Sequence, residues 1–157
     1  MPIISGGGGG GASVVKKATV TLTDAQIKAL PTTAVTLVAA PGMGFAVWPL
    51  HAMLVANFPD GGYTSGGADY FTIGTSVDGA EEMGATTYTI TDGTLAPLLN
   101  TISSAASLGY TPLVTQARSQ LENAALTISA SAGGNFGGGG SHNSMLVVVL
   151  YMIVTLP

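Results

Sequence analysis

Two histidines, eight carboxylates and a run of six glycines are the places where this chain could carry chemistry. His142 lies in Gly140-Ser141-His142-Asn143, next to a serine. A serine nucleophile needs its hydroxyl aimed at an imidazole, and that imidazole held by a carboxylate. Adjacent Ser and His do not easily face each other in an extended loop, and no G-x-S-x-G elbow surrounds Ser141. His142 therefore reads as an exposed or interface residue. His51 follows Pro49 and Leu50 in an apolar stretch, and reads as a core or interface histidine bonded to a carbonyl rather than as a base. Two histidines without a third ligand pattern do not make a zinc site. Asp60 to Asp69 and Glu81-Glu82 could hold a hard cation, but EF-hand spacing is missing and solvated turns explain them better. No pair of carboxylates is assigned to acid–base work from spacing alone. Gly6–Gly11 matches G-x-G-x-x-G trivially; it follows no strand, opens no helix and carries no GK[ST], so it is no phosphate cradle. Tyr63, Tyr70, Tyr88 and Tyr110 are scattered as packing residues are. The expectation is a protein without catalytic residues, metal or cofactor.

The composition points the same way. Charged residues are 8% of the 157, hydrophobic residues 46%, and the formal net charge is −4. The four basic residues, Lys16, Lys17, Lys28 and Arg118, form no patch for phosphate, which argues against direct nucleic-acid binding. A surface this poor in charge is a solubility risk for a free monomer and suits a subunit covered in an assembly. There is no cysteine, so disulfides and thiolate metal sites are ruled out. The N-terminal stretch lacks the basic and long apolar regions of a secretory signal.

The elements that would position these residues are mostly strands. Met145–Val154 is ten apolar residues in a row. As a helix it would reach only ~15 Å, half of a bilayer core, so no membrane crossing is expected of it. Its β-branched content and the preceding Gly137–Gly140 predict a long strand apolar on both faces. One face packs into the chain's own core, and a neighbouring copy is the natural cover for the other.

Further strands are expected at Val14–Leu22, Ala34–Ala39, Tyr70–Thr75, Thr86–Thr91, Tyr110–Thr115 and Ala124–Ala132. Phe45–Phe58 is a long apolar stretch in which Pro49 demands an edge, a bulge or a bend. Thr23-Asp24-Ala25-Gln26 has the capping-box spacing and predicts a short helix, Asp24–Leu30, ended by Pro31. Leu95–Ile102 is a candidate for one or two helical turns. Pro41-Gly42-Met43-Gly44 is a turn, as are the Asp-Gly pairs. The fold class is all-β, a β-sandwich or jelly roll with one or two short helices. Residues 1–13 form a separate arm: an apolar tip, Met1–Ile4, on polyglycine, which behaves as a flexible coil. Residues 14–157 form one domain.

The segment Ala18–Thr33, followed by Val35-Thr36-Leu37-Val38 and Pro41-Gly42, resembles small structural proteins of tailed bacteriophages. The order of the last elements adds to that resemblance: a Thr/Ser-alternating strand over Leu126–Ala132, a glycine loop, then an apolar strand with a tyrosine over Leu146–Val154. The resemblance implies a virion protein with a β-sandwich core, such as a head decoration (cement) protein or a fibre or tail component. It implies self-association, often as a trimer, with the major capsid protein as partner. The location would be the capsid exterior, after synthesis in the host bacterial cytoplasm. It carries over no catalytic residue.

The expected contact residues are Ile3, Ile4, Val14, Val15, Trp48, Phe136, Leu146, Val148, Leu150 and Met152; simple core packing is the competing role for Trp48. A receptor-binding or fibre-head module using the Tyr63 and Phe136 loops is the alternative. A small cell-wall hydrolase dependent on His142 is the remote one.

Overall fold

The computed structural model describes residues 14–64, 70–76, 88–90, 103–108, 118–131 and 136–157. The arm 1–13 with Ile3 and Ile4, the helical turns at Leu95–Ile102, the strand at Tyr110–Thr115, Asp69 and Glu81-Glu82 lie outside the described residues.

In chain order the elements are β1 (Lys16–Thr23), α1 (Asp24–Ala29), β2 (Val35–Val38), β3 (Phe45–Asn57), β4 (Tyr63–Thr64), β5 (Tyr70–Ser76), β6 (Tyr88–Ile90), β7 (Ser103–Leu108), α2 (Arg118–Leu121), β8 (Ala125–Ser131), β9 (Gly137–Gly138) and β10 (Ser144–Thr155). Among the described residues they form two four-stranded sheets, β1-β10-β3-β7 and β2-β8-β5-β6, and a two-stranded bridge, β4-β9. Every pairing is antiparallel. The pairings are also nested: β5 with β6, β3 with β7, β2 with β8, and β1 with β10 outermost. The chain thus behaves as one long hairpin rolled up on itself, which is the jelly-roll arrangement of an all-β sandwich.

Hydrocarbon from both sheets closes the core. Leu22, Leu54, Met145, Val147 and Val149 of the first sheet share one buried cluster with Phe71, Ile73, Leu126 and Ile128 of the second. Each strand supplies these residues at every second position, as the pleat requires.

The predicted capping box is formed. Thr23 Oγ1 accepts from the Gln26 amide at 3.4 Å, and the Thr23 amide donates to Gln26 Oε1 at 3.0 Å. The helix runs Asp24–Ala29 with Leu30 as its C-cap, directly before Pro31, and buries Ile27. Pro49 is accommodated by a bulge: Leu150 pairs with His51 and Tyr151 with Pro49, leaving Leu50 as the extra residue. The β7 ladder covers only Ala52–Asn57 of β3, so Pro49 also lies beyond its reach. The turn before β3 has Gly42 at φ +103°, which a side chain rarely adopts.

Sequence reading missed β7 and α2. The β7 sequence, Ser103-Ser104-Ala105-Ala106-Ser107-Leu108, has little strand propensity, and its pairing with β3 overrides that. α2 is a single turn, held by Arg118–Glu122 contacts at 2.9 and 3.1 Å.

Candidate functional site

The largest chemical asymmetry of the sandwich lies between its two outer faces. Residues opposite each other on neighbouring strands share a face. On β10 the inward set is Met145, Val147 and Val149, each 0–1% exposed. The outward set is Leu146, Val148, Leu150, Met152 and Val154. Leu146 lies opposite Thr21 and Val55, Val148 opposite Thr19 and Met53, Leu150 opposite Lys17 and His51, and Met152 opposite Trp48. Leu150 and Met53 are each 36% exposed, and the others named on β10 are half-buried in the isolated chain. The corresponding positions of the second sheet carry hydroxyls: Thr36, which is exposed, Thr72 and Thr127, which are half-buried, and Ser129, which is buried. An antiparallel sheet normally turns a polar face to water. On the first sheet β10 and β3 turn hydrocarbon outward instead, with Lys17 and His51 beside Leu150 in the middle of the stripe and Thr19 and Thr21 along its β1 edge.

Four of the expected contact residues on β10, together with Trp48, therefore meet on one face. Val14 and Val15 are exposed, at 68% and 54%, immediately before β1. Phe136 does not belong with them. It is 3% exposed and packs edge-on against Phe71, with ring centroids 5.9 Å apart. Its amide also donates to the Lys28 carbonyl at 3.2 Å, which pins the start of the glycine loop against α1. Phe136 is a core residue because the loop folds back over the sandwich end rather than away from it. His51, expected in a core or an interface, is on the outer face and exposed, not in the core.

The second cluster to weigh is polar. β1 and β3 both end opposite Ser144, so α1, the loop after β3 and the loop before β10 converge at one end. Tyr63 Oη donates to Asp24 Oδ1 at 2.9 Å, and Lys28 Nζ holds Asp24 Oδ2 at 2.9 Å. Asp60 accepts from the His142 amide at 2.9 Å, and the same carboxylate lies 2.9 Å from His142 Nδ1. Asn143, 2% exposed, accepts from the Asp60 amide at 3.0 Å and donates to the Gly61 carbonyl at 2.7 Å. Tyr63 is 1% exposed and meets Phe58 edge-on at 4.9 Å.

This is a clamp between two loops. One carboxylate takes both the backbone and the ring nitrogen of the same residue, which fixes a turn. The His142 side chain is 77% exposed, so its bond to Asp60 lies in water. The bonds of His142 run to Asp60, and neither residue lines the cleft beside Phe45 or the one beside α1. Among the described residues no group of three His, Asp or Glu could hold a metal ion. None of their helices is long and apolar enough to cross a membrane.

The charges of the clamp follow its geometry. Hydrogen bonds from the His142 amide and ring hold the Asp60 carboxyl below its usual range. Burial, with Asp24 and Asp60 adding to it, pushes the Tyr63 hydroxyl far above its usual range. Because the folded Asp60 ionises at lower pH than the unfolded one, its stabilising effect is full above the ordinary carboxylate range and fades as pH falls through the folded value. Amide exchange at His142, corrected for intrinsic rate, should therefore accelerate from about pH 5 to pH 3. Asp60→Asn should exchange fast already at pH 5 and lose most of that dependence. An unchanged profile in the variant would show that Asp60 does not carry the effect.

Asp60, Tyr63, Asn143 and Asp24 form this site without a local sequence motif. The one available signal was the turn chemistry of Pro59-Asp60-Gly61-Gly62 and Gly139-Gly140-Ser141-His142-Asn143.

The sequence matches no protein-family model and no curated protein. Among solved structures, the chain is similar to one in the capsid asymmetric unit of cyanophage Pam1, at 18% identity and a TM-score of 0.46, covering 100% of this chain and 94% of that one. It is similar also to a chain of Mud crab tombus-like virus, at 10% identity and a TM-score of 0.29, covering 92% and 80%.

Proposed function

We propose that this protein is a non-enzymatic structural subunit of a virion, a decoration protein that binds the outside of a phage head and bridges its capsomers. The observation that carries the reading is the hydrocarbon that β10 and β3 turn outward on the first sheet, in a chain with only 8% charged residues. Covering such a face removes hydrocarbon from water, and apolar burial contributes about 25 cal/mol per Å² before ordering costs are subtracted. Repeated over a shell, modest contacts of this kind reinforce every joint. The partners are other copies of the chain, as a trimer, and the major capsid protein. For the receptor-binding alternative, Tyr63 and Phe136 are themselves buried and offer no contact surface of their own. The Asp60–His142 pair acts as a loop clamp rather than as catalytic machinery.

The purified protein should scatter light as a particle of about 47 kDa, three times the 15.6 kDa chain. It should also bind heads that lack it, saturably and at fixed stoichiometry. A monomer at micromolar concentration, or no binding to such heads, would overturn the reading.

A further inference from the structure

The end of the sandwich opposite the clamp is an unfinished core layer. β10 continues inward-facing residues past Val149 with Tyr151 and Ile153, but these are only half-buried while Met145, Val147 and Val149 are sealed. The facing sheet stops short: β2 ends at Val38. What remains is a cleft of about 410 Å³ lined by Lys16, Val38, Pro41, Phe45, Tyr151 and Ile153. That volume falls in the range of ligand-sized pockets, roughly 300–1,000 Å³, and the open cleft sets the side chains of Val38, Pro41, Phe45 and Ile153 beside polar surface. Phe45, on the rim, is 41% exposed.

We propose that this cleft seats the apolar segment Met1–Ile4 of a second copy of the chain. The inference rests on the self-association proposed above and names a contact that achieves it. Three observations support it. The cleft lacks an apolar layer, and the sequence contains one outside the described residues, Met1-Pro2-Ile3-Ile4, joined to β1 through Gly6–Gly11. The chain leaves the described structure at Val14, two residues from Lys16, which itself lines the cleft. A return to a cleft beside its own root would need only a short linker. The twelve steps from Ile4 to Lys16 extend to ~40 Å, about the ~40 Å width of a domain of this length. That reach, ~20 Å as a coil and ~40 Å at full stretch, lets the tip enter the cleft of an adjoining copy.

Area supplies the third argument. The outer sheet face, nine residues of β10 by four strands, covers only ~500 Å² per copy. A stable interface buries about 800 Å² per partner. Seating Ile3 and Ile4 in a neighbour's cleft adds apolar contact that the flat face alone does not provide, and exchanges identical segments between copies at low cost.

The chain has no cysteine, which makes the test clean. Ile3→Cys chains are mixed with Phe45→Cys chains under mild oxidation and resolved on a non-reducing gel. The expected product is a mixed disulfide dimer of about 31 kDa, twice the chain mass. It should form at least ~10-fold faster than the same donor with Thr64→Cys chains, because a seated segment raises local concentration. Equal rates for the two acceptors would overturn the proposal. So would a double Ile3→Cys, Phe45→Cys chain that closes wholly within itself. Light scattering on the unmodified protein separates the two readings: an oligomer without preferential cross-linking sinks the cleft assignment alone, whereas a monomer sinks the self-association it rests on.

Discussion

Gly139→Ala should destabilise this protein strongly. Gly139 has φ +64°, and a Cβ there would collide with the Tyr63 ring and come within 2.8 Å of Asp24 Oδ1. The left-handed backbone costs a non-glycine residue ~1–3 kcal/mol. Overpacking adds about 1–3 kcal/mol, because Tyr63 has no free side to move into. The combined loss of about 2–6 kcal/mol is a large part of the 5–15 kcal/mol that holds a domain together. A fall in melting temperature of roughly 10 °C corresponds to the middle of that range. Gly61→Ala is the matched control: φ is +99°, but nothing lies within 4 Å of the added carbon. It carries backbone strain without the collision. Urea unfolding of both variants measures the difference, and a Gly139→Ala chain no less stable than Gly61→Ala would show that the glycine loop does not grip Tyr63. The same comparison bears on the clamp, since the Gly139 amide donates to the Gly62 carbonyl at 3.0 Å.

Val148→Lys should abolish self-association while leaving the monomer folded. Val148 is central on the outer face of the first sheet, between Thr19 and Met53. In a free monomer a lysine there extends into water, at a cost of some tenths of a kcal/mol in strand preference. In a covered face it buries an unpaired ammonium, which costs several kcal/mol per contact, enough to shift micromolar association out of reach. The expected result is a 15.6 kDa species by light scattering with an unchanged circular dichroism spectrum. Thr36→Lys on the other sheet adds the same charge at an exposed position and should leave the assembly intact. If Val148→Lys stays oligomeric, the hydrocarbon face is not the interface.

These two positions show different kinds of legibility. The strand containing Val148 can be read directly: ten apolar residues in a row cannot alternate with polar ones, so both faces must be hydrocarbon whatever the fold. Gly139 reads only as one glycine of a loop. Its importance comes from Tyr63 and Asp24, which lie far away in sequence and reach it only after the sheets have rolled.

What the sequence by itself determined is local. Thr23 and Gln26 set the start of α1 because both capping partners lie within four residues. Pro49 required a break in its strand because proline has no amide to give, and the bulge at Leu50 is that break. The Thr/Ser alternation of β8 and the poverty of charge likewise hold in any compact arrangement of these residues. The tertiary structure alone decided which strands pair, which face of β10 is sealed, and why Phe136 is core rather than contact. It also brought Asp60 to His142, 82 positions apart, and left the far end of the core open at Tyr151 and Ile153. The reason is physical: propensity and capping act over a turn or a strand, whereas pairing and burial are set by closing the whole rolled ribbon at once, and no short window of residues contains that closure.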